Sequence, residues 1–188
     1  MIPSLTRASQ LNITRPLVLV GLMGAGKTTV GRRLATKLRL PFYDADEEIE
    51  LAANMRISEF FEAYGEAAFR DGERKVIERL LNGAPHVLAT GGGAFMNDET
   101  RALVKAKATS IWLRADLELL VKRTAMRNHR PLLQTGNPRE TLKKLLDERA
   151  PTYAKADFTV DSVEGPHSKT VDRVIKALSK AARKGAKI

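Results

Sequence analysis

Residues 17–28 read LVLVGLMGAGKT, an apolar run followed by a glycine-rich turn that ends in lysine and threonine. The spacing of Gly21, Gly26, Lys27 and Thr28 satisfies the phosphate-binding pattern G-x-x-x-x-G-K-[ST]. The run before the turn has the length of a strand and the residues after it have a helical pattern, which is the context that this motif requires. A chance glycine-rich turn is therefore the weaker interpretation, and the segment predicts an α/β fold with a phosphate-binding loop.

The residue types of this loop suit phosphate and magnesium. Glycines let main-chain N–H groups close around phosphate oxygens, and the N-terminus of the following helix adds partial positive charge. We expect Lys27 to reach the β and γ phosphates and Thr28 to offer its hydroxyl to magnesium, which usually keeps several waters. The motif does not say whether the phosphate goes to water, a protein or a small molecule.

Composition predicts an ordinary folded domain. The 188 residues are 43% hydrophobic and 29% charged, without a low-complexity tract. The chain has no cysteine, which excludes a disulfide framework, a thiolate nucleophile and a cysteine-based zinc site. No run approaches the roughly 18 apolar residues that span a bilayer. We therefore expect a soluble, cytoplasmic protein with no membrane partner.

The net charge of +10 raises the question of nucleic-acid binding. Much of the charge is terminal, because residues 176–188 contain five basic side chains and no acid. A basic tail without aromatic residues is more typical of a solvated helix end than of a recognition surface. We therefore expect no nucleic-acid partner, and we expect deletion of residues 179–188 to leave turnover intact.

Apolar runs of strand length alternate with helical patterns, which is typical of βα units around a buried parallel sheet. The segment 127–136 interrupts two helices and is predicted to be part of a mobile lid at about 123–137. Residues 1–16 are predicted to be an extension, 17–175 the single domain and 176–188 a tail. Strands are predicted at 17–20, 41–43, 86–89, 110–113 and 158–160, and helices at 27–38, 45–54, 58–64, 66–82, 98–105, 117–126, 138–153 and 168–183.

Two carboxylates, Asp44 and Asp46, follow the second predicted strand. They lie at the carboxyl edge of the sheet, where open α/β sheets bind ligands. Alternation along a strand predicts that both point to one side, so that one can hold hydrated magnesium while the other takes a hydroxyl proton. Read alone, the pair is common, and Asp46 equally suits the cap of the next helix.

Further polar residues suit an anionic acceptor. Arg70 and Glu73 share a helix face, and Arg149 ends another helix. Two arginines can converge on a carboxylate, although each by itself is more often part of a surface salt bridge. The turn at 90–93, TGGG, exposes main-chain N–H groups to a ligand or is simply a tight connection.

Taken together, these segments resemble shikimate kinase over residues 17–160. No single motif is specific, but chance agreement of all six at suitable intervals is remote. The resemblance rests on GLMGAGKTTVG at 21–31, DAD at 44–46, FRxxE at 69–73, TGGG at 90–93, RPLL at 130–133 and RxxxY at 149–153.

The resemblance implies transfer of the γ-phosphoryl group of ATP to the 3-hydroxyl of shikimate with Mg²⁺, a step toward aromatic amino acids. It also implies the three-layer fold of nucleoside monophosphate kinases, in which helices flank five parallel strands in the order 2-3-1-4-5. It carries over a catalytic role for Lys27, Asp46 and Arg130, with Asp46 orienting or deprotonating the acceptor hydroxyl and Arg130 reaching the transferred phosphate from the lid.

The other roles that it implies divide between nucleotide, metal and acceptor. Arg123 is implied to stack on adenine, and Glu73 to support Arg70. Magnesium is implied at Thr28 and, through water, at Asp44. The nucleotide set is Gly24, Ala25, Gly26, Lys27, Thr28, Thr29, Arg123 and Arg130, and the shikimate set is Asp46, Arg70, Glu73, Gly91, Gly92, Gly93 and Arg149.

Three rival functions share part of this pattern. Gluconate or adenylate kinase would have the phosphate loop but would not need the paired Arg70 and Arg149 for a carboxylate. An ATP-driven nucleic-acid switch is suggested by the net charge, but only 5% of the residues are aromatic and the charge is terminal. A purely structural nucleotide-binding module does not explain Lys27, Thr28 and Asp46 together. We expect a monomeric kinase.

Overall fold

The computed structural model of the chain describes residues 11–126 and 136–188. Residues 1–10 of the predicted extension lie outside this part. Most of the predicted lid, including Arg130, also lies outside the described residues.

The centre of the fold is a parallel sheet of five strands in the order β2-β3-β1-β4-β5. The strand order 2-3-1-4-5 is thereby confirmed. Every predicted strand is present, with ends that shift by at most one residue. The strands are β1 Leu17–Val20, β2 Phe42–Asp44, β3 Val87–Ala89, β4 Thr109–Arg114 and β5 Phe158–Asp161.

Helices connect the strands. The third helix contains a kink at Gly65, whose φ of 79° and ψ of 176° are not helical, so the two helices predicted at 58–64 and 66–82 correspond to its two halves. A short 3₁₀ turn, Ala94–Met96, was not predicted. The helices are α1 Lys27–Leu38, α2 Ala45–Ala53, α3 Ile57–Leu81, α4 Asp98–Lys107, α5 Leu117–Ala125, α6 Pro138–Tyr153 and α7 His167–Ala182.

The core lies on the sheet, and β1 is its most enclosed strand. All four residues of β1 are buried because β3 and β4 pair with its two edges and side chains cover both faces. Gly31 brings α1 close to the sheet, since a β-carbon there would lie 2.6 Å from the ring of Phe42. This packing sets the direction in which α1 leaves the phosphate-binding loop. None of the helices in the described part of the chain combines the length and apolar content that crossing a bilayer requires.

The segments 11–16 and 183–188 are packed together. The main-chain N and the hydroxyl of Thr14 both donate to the carbonyl of Ile188, at 2.6 and 3.0 Å. Ile188 is 2% exposed and belongs to the core, as does Leu178. The predicted boundary at residue 175 therefore falls inside α7, and the expected solvated tail is a packed helix end whose basic side chains face outward.

Deletion of residues 179–188 should therefore destabilise the protein. The loss of one buried isoleucine costs about 2 kcal/mol or more. In a domain of this size, a loss of about 2 kcal/mol lowers the melting temperature by about 4–8 °C. Thermal unfolding followed by circular dichroism measures the change.

The control keeps the segment and removes charge, with Lys180, Lys184 and Lys187 changed to Gln. These side chains are exposed, so this variant should melt with the wild type. If the deletion left the melting temperature unchanged, residues 179–188 would be dispensable, as the sequence alone predicts.

Candidate active site

The loop between β1 and α1 has the conformation that a phosphate cradle requires. Gly24 and Gly26 have φ of 84° and 94°, a left-handed region that favours glycine. The ammonium of Lys27 donates to the carbonyls of Gly21 and Leu22, at 2.7 and 3.1 Å. Lys27 therefore lies across the loop, with its charge at the opening where an anion would bind.

A cleft of about 280 Å³ opens next to this loop. It joins residues predicted for the nucleotide with residues predicted for the acceptor, and it is also lined by four that were not predicted, Met23, Thr90, Met126 and His167. The predicted residues that line it are Gly24, Gly26, Lys27, Thr28, Thr29, Asp44, Asp46, Gly91, Gly92 and Arg123.

Asp44 joins the end of β2 to the phosphate loop. Its Oδ2 accepts a hydrogen bond from the hydroxyl of Thr28 at 2.7 Å, and its Oδ1 accepts one from the main-chain N of Asp46 at 3.0 Å. Asp44 is thus the cap of α2, and Asp46 lies in the first turn of that helix. The sequence predicts that Asp44 and Asp46 point to the same side because side chains alternate along a strand. That reasoning does not apply here, because the strand ends at Asp44. The alternative, that Asp46 caps the helix, is wrong.

Thr28 and Asp44 fit a magnesium ion. A hydroxyl and a carboxylate are hard oxygen donors, and they touch at the phosphate end of the cleft. Within 11–126 and 136–188, no three His, Asp or Glu side chains form a metal-binding group. Mg²⁺ usually takes one or two protein ligands and fills its other positions with water and phosphate, and Thr28 and Asp44 would supply those two.

Arg70 is held in place by a buried acid. Its Nη1 lies 2.6 Å from Oε2 of Glu73, whose side chain is only 3% exposed. Burial raises the pKa of the Glu73 carboxyl, and the charge of Arg70 opposes this shift. The pair directs the guanidinium at the glycine turn, since a β-carbon at Gly93 would lie 2.6 Å from Nη2 of Arg70. Any larger residue at that position would displace the arginine.

The glycine turn is the point where the acceptor residues meet. A β-carbon at Gly91 would lie 3.1 Å from Oε1 of Glu73 and 3.2 Å from Oδ1 of Asp46. One at Gly92 would lie 3.5 Å from Nη1 of Arg149. Side chains from α2, α3 and α6 therefore converge on one turn after β3, as the sequence predicts for the two arginines.

Arg123 lies at the opposite end of the cleft, beside the phosphate loop. Its Nη1 donates to Ser162 Oγ at 2.9 Å and to the carbonyls of Gly24 and Ala25 at 3.3 Å each, and its Nη2 donates to the carbonyl of Val163 at 2.8 Å. Burial lowers the pKa of its guanidinium. The segment after β5 thus contributes to the nucleotide end, and no motif in the sequence indicates this.

Tyr153 was also missed as a site residue, although its motif with Arg149 was noted. Its ring is completely buried, and its hydroxyl donates to the carbonyl of Gly92. Burial raises the pKa of this hydroxyl, and the nearby charge of Arg149, one turn earlier on α6, opposes that shift. The spacing of four residues was the available signal, because it places both side chains on one helix face.

Comparison with known proteins identifies the family. A family model described as shikimate kinase matches residues 23–179. A shikimate kinase of Bradyrhizobium diazoefficiens is 57% identical over 164 residues, which are 87% of this chain and 79% of that protein. One of Paramagnetospirillum magneticum is 58% identical over 166 residues, 88% of this chain and 85% of that protein.

Solved structures agree. The shikimate kinase from Acinetobacter baumannii in complex with shikimate superposes with a TM-score of 0.86 at 36% identity, covering 92% of this chain and 97% of that one. A gluconokinase from Sinorhizobium meliloti has a TM-score of 0.65 at 17% identity, over 93% of this chain and 97% of that one, and shares the fold alone. From the family model and these relatives, we conclude that the chain belongs to the shikimate kinase family.

Proposed function

We propose that this protein transfers the γ-phosphoryl group of ATP to the 3-hydroxyl of shikimate, giving shikimate 3-phosphate and ADP on the route to aromatic amino acids. Family membership supports the reaction. The observation that supports it in this chain is the meeting of Arg70 and Arg149 at a glycine turn beside the phosphate loop. Two guanidinium groups at one turn suit the carboxylate of shikimate.

On the nucleotide side, Lys27 would exchange its carbonyl partners at Gly21 and Leu22 for phosphate oxygens. Thr28 and Asp44 would hold Mg²⁺, Asp44 through water. When bound, the ion neutralises charge on the β and γ phosphates. Gly24, Ala25, Gly26 and Thr29 would surround the phosphates with main-chain N–H groups and the start of α1.

On the acceptor side, Asp46 would orient the hydroxyl and take its proton. It faces Gly91 from the first turn of α2, close to the phosphate loop. Glu73 would act through Arg70, whose guanidinium it holds at 2.6 Å. The main chain at Gly91, Gly92 and Gly93 would contact shikimate, because no β-carbon blocks its approach.

Two further arginines remain assigned by resemblance. Arg123 would contact adenine from its position beside the phosphate loop. Arg130 would stabilise the charge of the transferred phosphoryl group, a role in which arginine serves other phosphoryl-transfer enzymes. Arg130 lies outside the described residues, so its role remains a prediction from the sequence.

We also propose that the enzyme works as a cytoplasmic monomer without a nucleic-acid or membrane partner. Large apolar side chains that are exposed in the described part of the chain are limited to Leu51, Tyr64 and Met126. Three such side chains are few for an extended apolar interface. Met126 already lines the cleft.

One prediction of the proposed function concerns the acceptor. ADP release should require both shikimate and Mg²⁺. The pair formed by Arg70 and Arg149, which we call the arginine clamp, suits a carboxylate, and the phosphate loop needs the ion. A coupled ADP assay with shikimate, gluconate, AMP or no acceptor, in magnesium and in chelator, measures it. Faster turnover with gluconate or AMP would contradict the proposed substrate.

The two aspartates should differ in effect. Asp46→Asn should lower kcat by about 10² to 10⁴, the usual value of a positioned general base. Asp44→Asn should chiefly raise the magnesium concentration needed for half-maximal rate, because the hydrogen bond to Thr28 places it on the metal side. Measurement of kcat as a function of magnesium concentration for both variants distinguishes the two roles. If both variants changed kcat and the magnesium requirement in the same way, the assignment of different roles to Asp44 and Asp46 would be refuted.

The arginine clamp should determine shikimate affinity. Arg70→Ala and Arg149→Ala should each weaken shikimate binding by about 2–5 kcal/mol, the usual cost of truncating one partner of a buried charge pair. ADP binding should persist. Isothermal titration calorimetry measures both ligands.

The matched control is Arg79→Ala, on the same helix as Arg70. Arg79 is 61% exposed and pairs with Glu48 at 2.8 Å. Exposed pairs contribute little, so this variant should bind both ligands as the wild type does. Unchanged shikimate binding in Arg70→Ala would show that the clamp is misassigned.

A further inference from the structure

Two hydroxyl groups, on Tyr153 and Ser162, occupy equivalent positions in different halves of the site, each between a glycine-rich turn and an arginine. Each donates to a main-chain carbonyl of a glycine-rich turn, and each interacts with an arginine of the site, Arg149 for Tyr153 and Arg123 for Ser162. A hydroxyl has one donor hydrogen and two lone pairs, so it can make both interactions at once. Replacement of the hydroxyl by hydrogen removes both.

Tyr153 makes this connection in the acceptor half. Its hydroxyl donates to the carbonyl of Gly92, and Arg149, one turn earlier on α6, interacts with the same hydroxyl and lies 3.5 Å from where a β-carbon at Gly92 would be. The ring is held in place, because it is fully buried and its centroid lies 5.9 Å from that of Trp112. Burial raises the pKa of the Tyr153 hydroxyl, which keeps its proton available for donation. The hydroxyl thus sets the distance between the glycine turn and the arginine of α6.

Ser162 makes the connection in the nucleotide half. Its Oγ donates to the carbonyl of Ala25 at 2.9 Å and accepts from Nη1 of Arg123 at 2.9 Å. The residue is 5% exposed, and its main-chain N donates to the carbonyl of Arg114 at 2.7 Å. The hydroxyl is therefore anchored to the sheet edge and joins Arg123 to the phosphate loop.

We propose that Tyr153 and Ser162 are positioning residues, one for each substrate: Tyr153 places Arg149 and the Gly92 turn for shikimate, and Ser162 places Arg123 and the Ala25 turn for the nucleotide. The inference rests on the proposed function. Neither hydroxyl contacts a reacting group. Each acts through an arginine, where a shift of about 1 Å is enough to weaken binding and turnover.

The test compares Tyr153→Phe with Ser162→Ala, so that each variant is the control for the other. Tyr153→Phe should raise the shikimate KM and Kd about tenfold and change the values for ATP and ADP less than about twofold, since a hydrogen bond to a charged group is lost on one side only. Ser162→Ala should instead raise the values for ATP and ADP about tenfold and change those for shikimate less than about twofold. Steady-state kinetics and calorimetry with shikimate and with ADP measure both.

Three further variants separate positioning from packing. Ser162→Thr keeps the hydroxyl and should retain wild-type nucleotide affinity. Tyr43→Phe, at a half-buried tyrosine on β2, should leave both affinities unchanged. Tyr153→Phe combined with Arg149→Lys should weaken shikimate binding by less than the product of the single effects, because both changes break the same contact.

The inference is overturned if either single variant weakens the binding of both ligands together or of neither. It is also overturned if a variant lowers the melting temperature and shows no difference between its effects on shikimate and ADP. A wild-type enzyme that fails to bind shikimate would instead contradict the proposed function. The ADP arm with Ser162→Ala tests the nucleotide half independently of the acceptor.

Discussion

The position of β1 between β3 and β4 is the constraint on which the site depends. The chain passes from β1 to β2 and β3 on one side and then crosses to β4 and β5 on the other, so the phosphate loop stands where the strand order reverses. Ligands of open α/β sheets bind at such a point. Asp46 and the glycine turn follow β2 and β3, whereas Arg123 and Ser162 follow β4 and β5. The glycine turn thus lies on one side of β1 and Arg123 and Ser162 on the other, while Arg149 reaches the glycine turn from α6, which follows β4.

The arginines of the site are held by partners of different charge. Arg70 pairs with the buried carboxylate of Glu73, which fixes its direction toward the glycine turn. Arg149 and Arg123 are held by a phenol, a serine hydroxyl and main-chain carbonyls, so they keep their charge for a ligand. Lys27 and Arg123 line the cleft at the phosphate loop, and Arg149 lies beside the glycine turn. Positive charge therefore stands at both places where an anionic group of a substrate would bind.

The sequence predicted those features that local pattern encodes. The apolar run of β1, the phosphate loop and the helix limits of α1 and α6 are readable within a few residues of chain, and the structure agrees with them. Two of the failures involve distant partners. The burial of Ile188 depends on Thr14, 174 residues away, and the role of Ser162 depends on Ala25, 137 residues away. The cap of α2 was missed for a local reason: Asp44 ends β2 and also accepts from the main-chain N of Asp46, and a cap and a strand end look alike in the sequence.

The hydrogen bonds between Thr14 and Ile188 have a consequence for connectivity. Because Thr14 contacts Ile188, a linker that replaces residues 1–10 could join residue 188 to the segment 11–16. The chain could then be opened in the exposed connection at 82–84, between α3 and β3. Domains whose ends lie together commonly tolerate such circular permutation. All four strand pairings would survive, while β1 would no longer be the first strand to be synthesised, so the order of folding could be varied without altering the fold.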